Sequence, residues 1–207
     1  MRCLRTCSLG ALIAVAAAGC GGSSSPVAIP NSSSMALISQ PITCQVAGSP
    51  LGTESESSLF ISILANESIA DVCATLADPC NAYANLTEVV LLIQNFDAMG
   101  GTADDVGPGT YQLTQNVNGL VGTFADAGVI QTNGSCTQTS PTSEGTSTGT
   151  ITIGDIGPSE VTGSFDVTVQ GTEYTGSFGA ALCSTSSYPI TCGGIETGTC
   201  TGTPQCL

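Results

Sequence analysis

The sequence predicts a mainly β protein: an antiparallel β-sandwich with one short helix and a disulfide-rich C-terminal segment. Three observations lead to this fold class. Apolar residues alternate with Ser, Thr and Gly along several segments, which is typical of half-buried strands. Glycine is frequent, with 26 among 207 residues, and hydrophobic residues reach 41% against 9% charged, a balance that favours a folded β-rich domain over disorder. Four of the 11 cysteines lie within residues 183–207.

Charge limits what the chain can do. Arg2 and Arg5 are the two basic residues, His is absent, and 16 acidic residues follow without a basic one. Such a chain cannot neutralise phosphates, which excludes nucleic-acid binding. It also lacks the His or Lys that activates a Ser or Cys nucleophile. We therefore expect no enzyme and no cofactor.

The N-terminus has the pattern of an export signal. Residues 9–18 form an apolar run of ten residues, shorter than the roughly 20 residues of a membrane-spanning helix but typical of a secretory signal. The run ends at Ala17, Ala18, Gly19 and Cys20, which resembles the lipobox of bacterial lipoproteins. The resemblance covers about the first 22 residues and implies cleavage before Cys20 and its acylation, as with palmitate. The alternative is an ordinary signal peptide cut after residues 16–18.

Cysteine parity favours the lipoprotein interpretation. Removal of Cys3 and Cys7 with the signal leaves nine cysteines, an odd number that needs an explanation in an oxidising compartment. If Cys20 carries lipid, eight remain, enough for four disulfides. Gly21 follows Cys20 in place of the Asp that favours inner-membrane retention, so we expect an outer-membrane lipoprotein of the bacterial cell envelope.

The eight remaining cysteines are interpreted as disulfide partners. There is no C-x-x-C spacing and no His, so a zinc site is poorly supported. Cys73 and Cys80 can pair only if the intervening helix breaks at Pro79, and we expect a tail cysteine to reach back to Cys44 or Cys136. The disulfide candidates are Cys44, Cys73, Cys80, Cys136, Cys183, Cys192, Cys200 and Cys206.

The chain divides into four segments: a signal peptide (1–19), a lipidated cysteine with a flexible tether (20–35), a β-sandwich domain (36–182) and a disulfide-stapled tail (183–207). A helix is predicted over residues 69–77 by the apolar period of 3.6, with Ser68 and Asp71 as a capping box and Asp78-Pro79 as its end. Residues 86–94 contain a continuous apolar run, 89–93, which predicts a central strand covered on both faces. Further strands are predicted at 59–64, 110–114, 119–124, 129–132 and 149–153, with a loop at 141–148.

A hairpin is the clearest local prediction. Residues 161–169 and 174–182 alternate cleanly, and Gly171 as the first residue of a two-residue type II′ turn makes paired numbers sum to 343. This register places Phe165 opposite Phe178. The repeated Thr-Gly-Ser-Phe, at 162–165 and 175–178, is then a consequence of hairpin symmetry. A strand of sequence GTITI, two TGSF strands and a cysteine, over residues 146–183, resemble the ends of uncharacterised Gly/Ser/Thr-rich bacterial lipoproteins of the myxobacterial kind. That resemblance implies a β-sandwich and no activity.

The leading functional hypothesis is a non-catalytic lipid-anchored cell-surface protein with a structural or interaction role. Its partners would be the membrane, through the lipid anchor, and a glycan or protein of unknown identity. The alternative is a glycan- or calcium-binding module, with residues 100–109 (including Asp104 and Asp105) as a possible calcium loop and Asp126 and Asp155 in similar turns. A solvated acidic loop is the simpler interpretation. The third hypothesis is a glycoside hydrolase that uses carboxylates alone.

Overall fold

A computed structural model describes residues 25–30, 33–45, 52–65, 69, 71–78, 81–113, 121–139, 147–185, 190–191, 194–195 and 205–206. Within these residues the chain is mainly β, with one short helix, α1 (Val72–Ala77). The strands are β1 (Val27–Ile29), β2 (Ser33–Gln45), β3 (Thr53–Ala65), β4 (Asn81–Ala82), β5 (Thr87–Asp97), β6 (Gly109–Gln112), β7 (Val121–Gln131), β8 (Ser147–Ile156), β9 (Glu160–Val169), β10 (Thr172–Leu182), β11 (Ile190–Thr191), β12 (Gly194–Ile195) and β13 (Gln205–Cys206). This confirms the predicted fold class.

Nine of the described strands form one sheet. Eight follow the order β6-β8-β9-β10-β2-β3-β5-β7, and β1 pairs with β10. Neighbouring strands are antiparallel except where β10 meets β1 and β2, which run parallel to it. β7, at one end of the order, also contacts β8 and β9 near the other end. The sheet therefore folds over on itself, and the two layers of the sandwich come from one continuous sheet.

The main core lies between these two layers. Alternate residues of β5 and β9 are buried, as expected for strands with one face inside. One layer contributes aliphatic side chains from β3 and β5, and the other contributes Phe165, Tyr174 and Phe178. The largest fully buried side chains of this core are Leu59, Ile61, Ile63, Leu91, Ile93, Ile151, Val89, Val161 and Val167.

A second core lies on the outer face of β2 and β3, beneath α1. The Asp71 side chain caps the helix by accepting a hydrogen bond from the Ala74 backbone N–H at 2.9 Å. The helix ends at Asp78, whose backbone is extended, as the sequence predicts. Its start lies later than predicted, and Ser68 is outside the described residues. The buried members of the second core are Met35, Leu37, Leu64, Val72, Tyr83, Leu86 and Cys183.

The hairpin forms, but its predicted register is wrong by two residues. Thr172 pairs with Val169, so paired numbers sum to 341. The turn residues are Gln170 (φ 52°) and Gly171 (φ 80°), and positive φ at both positions is typical of a type I′ turn. Each phenylalanine then lies opposite a glycine: Phe165 faces Gly176, and Phe178 faces Gly163. The outward and inward faces of both strands are unchanged, because a shift of two preserves the alternation.

Tight packing between rings and glycines explains this register. A Cβ atom on Gly163 would lie 2.6 Å from the Phe178 Cζ atom, and one on Gly176 would lie 2.9 Å from the Phe165 Cζ atom. Each ring thus occupies the space that a side chain would need on the facing strand. The repeated Thr-Gly-Ser-Phe follows from hairpin symmetry in this register too.

One predicted break between strands is absent. The sequence predicts separate strands at 119–124 and 129–132, but β7 runs unbroken from Val121 to Gln131, because Ala125, Ala127 and Gly128 are small enough to be buried within it.

Other predictions also need correction. β5 is central, between β3 and β7, as predicted, but only its inner face is fully buried, whereas the sequence predicts burial on both faces. The predicted flexible tether (20–35) already contains β1 and the start of β2. Of the predicted loop at 141–148, residues 141–146 lie outside the described residues, and residues 147–148 belong to β8.

Candidate functional site

Five of the eight disulfide candidates lie in the described part of the chain. Cys20, Cys80, Cys192 and Cys200 are outside it, so their predicted roles stay predictions. Cys44 is disulfide-bonded and fully buried.

The Cys73–Cys183 disulfide fastens α1 to the sheet. Cys73 lies in the helix and Cys183 directly follows β10, and their Cα atoms are 5.5 Å apart. The bridge joins positions 110 residues apart in sequence and lies beside the second core. This pairing rules out the Cys73–Cys80 bridge considered from the sequence.

The Cys136–Cys206 disulfide holds the C-terminal tail. Their Cα atoms are 5.6 Å apart and they are separated by 70 residues. Beside it, β13 pairs with β4 in parallel, with Cys206 opposite Ala82. The tail therefore reaches back to Cys136, one of the two partners expected from the sequence.

The segment considered as a calcium loop closes one end of the main core. Val106 and Ala103 are buried, whereas the side chains of Asp104 and Asp105 are exposed. The Ala103 N–H donates to Ser55 Oγ at 3.0 Å, and the main-chain carbonyl of Asp104 accepts hydrogen bonds from Ser57 Oγ and Asn95 Nδ2. Carbonyl oxygens that a calcium ion would need are thus occupied by hydrogen bonds within the protein.

The other acidic residues considered for calcium lie on strands, not in turns. Asp126 is within β7, where its carboxylate accepts hydrogen bonds from Ser147 Oγ on β8 and from the Ala127 N–H. Asp155 follows an irregularity in β8. Among the described residues, no group of three or more His, Cys, Asp or Glu side chains is placed to hold a metal ion.

The outer face of β5 and β7 carries apolar side chains that belong to neither core. We call this set the apolar outer face; each member is half-buried and lies on the strand face opposite the one that packs into the main core. The Phe96 ring lies over Gly122 of the facing strand, with its Cζ atom 3.4 Å from the position of a Cβ there. The members are Val90, Leu92, Phe96, Phe124 and Ile130.

A pair of carboxyl groups borders the apolar outer face. Glu54 and Glu56 are two residues apart on β3 and hydrogen-bonded to each other. Burial, followed by the hydrogen bond and the negative charge of Glu54, raises the pKa of Glu56 to about 7, while the hydrogen bond from Gln94 acts to lower it. Gln94 Nε2 donates to Glu56 Oε2 at 2.9 Å. Glu56 therefore keeps its proton up to about neutral pH.

A third carboxyl group lies further along the same face. Glu88, on β5, accepts a hydrogen bond from Ser62 Oγ at 2.6 Å. Burial raises the pKa of Glu88, and the hydrogen bond from Ser62 acts in the opposite direction. The acidic groups on this face are thus hydrogen-bonded within the protein.

Sequence reasoning missed the apolar outer face. It assigned residues 86–94 to a doubly buried strand and left Phe96 and Phe124 without a role. A signal was present: Val90, Leu92 and Phe96 share one parity along β5, and Val89, Leu91 and Ile93 share the other. Of the tyrosines considered, Tyr83 is buried in the second core, Tyr111 packs against the main core and Tyr188 is outside the described residues.

Comparison with known proteins gives no relative: no family model, curated protein or solved structure matches the chain. Within the residues that the structure describes, no helix is both long enough and apolar enough to cross a membrane.

Proposed function

We propose that the chain is a non-catalytic protein, anchored at the bacterial cell surface by lipid on Cys20, whose β domain has a structural or interaction role. The observation that carries this proposal is the use of the cysteines. Two bridges and a fifth bonded cysteine, Cys44, occur in the described residues, and stable disulfides are typical of exported proteins. Export of an odd set of nine leaves one cysteine to account for, and Cys20 stands at the end of the lipobox-like sequence.

A non-catalytic role is supported by the chemistry of the side chains. After Arg5 the chain has no His, Lys or Arg, so carboxyl groups are the main candidates left for a general base or acid. Glu54 and Glu56 are the carboxyl groups brought into direct contact. Their hydrogen-bonded geometry is closer than the separation of about 5 Å or more that glycosidases use. This pair therefore gives no support to the carboxylate-only hydrolase.

The experiment that tests the anchor compares cysteine variants of the full chain in its bacterial host. Cys20→Ser should abolish incorporation of labelled palmitate and release the protein from the membrane fraction. Cys3→Ser and Cys7→Ser are matched controls, because both residues are lost with the predicted signal, and each should leave labelling unchanged. Continued labelling of the Cys20→Ser variant would refute the anchor.

A glycan-binding module is the second candidate. The observation that favours it is the grouping of two aromatic rings, Phe96 and Phe124, with the hydrogen-bonding groups of Glu56 and Gln94 on one open sheet face. Apolar rings beside a few polar groups are typical of small-molecule sites. A glycan array tests it: a sugar that binds the chain should be lost on Phe96→Ala or Phe124→Ala but retained on Val121→Ala. Absence of any bound sugar on the array would reject this candidate.

A further inference from the structure

Part of the region predicted as a flexible tether belongs to the folded sheet. β1 pairs in parallel with β10, with Val27 opposite Tyr174 and Ile29 opposite Gly176. The start of β2 continues along the same edge of β10, where Ser34 Oγ donates to the Gly179 carbonyl at 3.0 Å. The chain is therefore held to β10 from Val27 onward, apart from the two residues 31–32 that the structure does not describe.

β1 is bound by more than backbone pairing. The Ile29 side chain is 5% exposed and belongs to the main core. The Ile29 carbonyl oxygen lies 2.9 Å from the place where a Cβ on Gly176 would be, so the absence of a side chain at Gly176 allows the two backbones this close approach. Burial of the isoleucine side chain in the main core favours the docked strand.

This docking shortens the chain available as a tether. Only five residue steps separate Cys20 from Ser25, the first described residue. Whatever their conformation, five steps span at most about 18 Å. A flexible tether over the whole of the predicted segment, from Cys20 to residue 35, would have spanned up to about 50 Å.

The strand directions define two ends of the folded sheet. At the N-terminal end, β1 starts at Val27, which lies opposite Tyr174 of β10. Tyr174 is two residues after the start of β10 at Thr172, so the Gln170–Gly171 turn lies at this end as well. The opposite end carries the turn between β8 and β9 and the 98–108 segment, which enters β6 opposite Ile153. The eleven residues of β10 run from the first end toward the second, over roughly 35 Å.

We infer that the protein stands on the lipid surface with its β9–β10 turn and β1 facing the membrane, and with the 98–108 segment facing away. This inference rests on the proposed lipid anchor at Cys20. In this orientation Val27, an apolar side chain that is 41% exposed, faces the bilayer. The chain has no basic residue after Arg5, so the lipid partner that suits this end is a zwitterionic headgroup surface, not an anionic one.

Single tryptophan probes test this orientation, because the chain contains no Trp. Val27→Trp and Met99→Trp are a matched pair at opposite ends, since both replace exposed apolar side chains (41% and 59%). The lipidated full chain is reconstituted in phosphatidylcholine vesicles that contain a trace of dansyl-labelled lipid. We expect energy transfer from Trp to dansyl to be several-fold stronger for Val27→Trp than for Met99→Trp. Ser25→Trp, placed before β1, should match Val27→Trp without altering the sheet.

A longer tether provides the control for distance. Insertion of a Gly/Ser segment of about 14 residues after Gly22 should reduce the transfer from Val27→Trp toward that of Met99→Trp, because such a segment alone has an r.m.s. span of about 20 Å. Equal transfer at the two ends, in protein that floats with the vesicles, would overturn the orientation but leave the anchor intact. Protein that fails to float would overturn the anchor and the orientation together.

Discussion

The two outer faces of the folded sheet differ in composition although the same inward core supports both. On β9 and β10 the outward residues are polar, as at Asp166, Thr168, Thr175 and Ser177. On β5 and β7 they form the apolar outer face. The first face is suited to water alone. The apolar outer face has the composition of a surface that is covered by another structural element or molecule. On the neighbouring strands, β2 and β3, the outer surface is covered by α1.

This difference explains for which strands the buried and exposed faces could be predicted from the sequence. Alternation of polar and apolar residues defines the inward face of β9 and β10 without ambiguity. In β5 both faces are apolar, so the alternation vanishes from the sequence. A continuous apolar run is therefore compatible with a strand covered on both sides and with a strand that has one open apolar face. Only the positions of α1 and the neighbouring strands separate the two cases.

The largest expected effect concerns the disulfide that holds α1 over the outer surface. The double variant Cys73→Ala/Cys183→Ala should lose about 4 kcal/mol of unfolding free energy, because the closed loop of 110 residues is long. Denaturant unfolding measures the loss. Hydrogen exchange should also speed up for the amides of α1.

The matched control is Cys136→Ala/Cys206→Ala, which opens the other described bridge. It should destabilise the protein to a similar degree but leave exchange in α1 close to that of the parent under native conditions. Equal acceleration of α1 exchange in both variants would contradict the role given to Cys73–Cys183 in holding the helix.

Two neighbouring leucines of β5 allow a direct comparison between the main core and the apolar outer face. Leu91 is fully buried in the main core, whereas Leu92 belongs to the apolar outer face. Leu91→Ala should cost about 3 kcal/mol, through lost burial and a cavity, and Leu92→Ala about 1 kcal/mol. Chemical denaturation of the two variants measures both values. Equal losses would mean that the face described as open is packed as tightly as the core.

The observed register of the hairpin gives the next effect. Gly163→Ala should cost about 2 kcal/mol, because the added methyl group would meet the Thr152 carbonyl and the Phe178 ring. Gly154→Ala is the control on β8, where a Cβ has its nearest neighbours at 3.5 Å, an ordinary contact. In the register predicted from sequence, Gly163 would face Ala180 and have more room. A neutral Gly163→Ala would contradict the close contacts described at this position.

Gln170 and Ile29 show why the hairpin register and the strand β1 could not be predicted from the sequence. The faces of the hairpin strands follow from alternation, but the register depends on which residue begins the turn. Gln170 adopts a positive φ that glycine or asparagine usually fills, so Gly171 alone suggested a turn one residue later. Ile29 lies in a Ser- and Pro-rich segment whose three strand residues become ordered only through β10, a contact far away in sequence.

The candidate site could also be predicted only in part from the sequence. The cysteines were recognisable as disulfide partners from their number and the absence of His, whereas the pairing of Cys73 with Cys183 depends on where α1 docks. Phe96 and Phe124 became a common surface only once β5 and β7 were paired. Glu54 and Glu56 lie two residues apart in sequence, but the raised pKa of Glu56 depends on burial that the sequence does not reveal.

The smallest effect concerns pH and the carboxyl pair beside the apolar outer face. Because the pKa of Glu56 is raised from 4.5 to about 7, the native state binds more protons than the unfolded state between these values. Stability should therefore fall as pH rises from about 4.5 to beyond 7, with Glu88 acting in the same direction. Solvent screening limits the contribution of Glu56 to about 1 kcal/mol.

Melting curves of Glu56→Gln test this dependence, since glutamine keeps a hydrogen-bonding group and cannot ionise. The variant should be more stable than the parent at pH 8 and similar to it at pH 4. Glu160→Gln removes a negative charge from an exposed position on β9 and controls for net charge. If the variants shift equally at pH 8, the effect belongs to net charge and not to the pair.

The account depends most on what happens at Cys20, and intact mass spectrometry of the mature protein from its host addresses that directly. The account predicts a chain that begins at Cys20, carries fatty acyl groups on that residue and has its other eight cysteines oxidised. A chain that begins elsewhere, or one that begins at Cys20 without lipid, would contradict it.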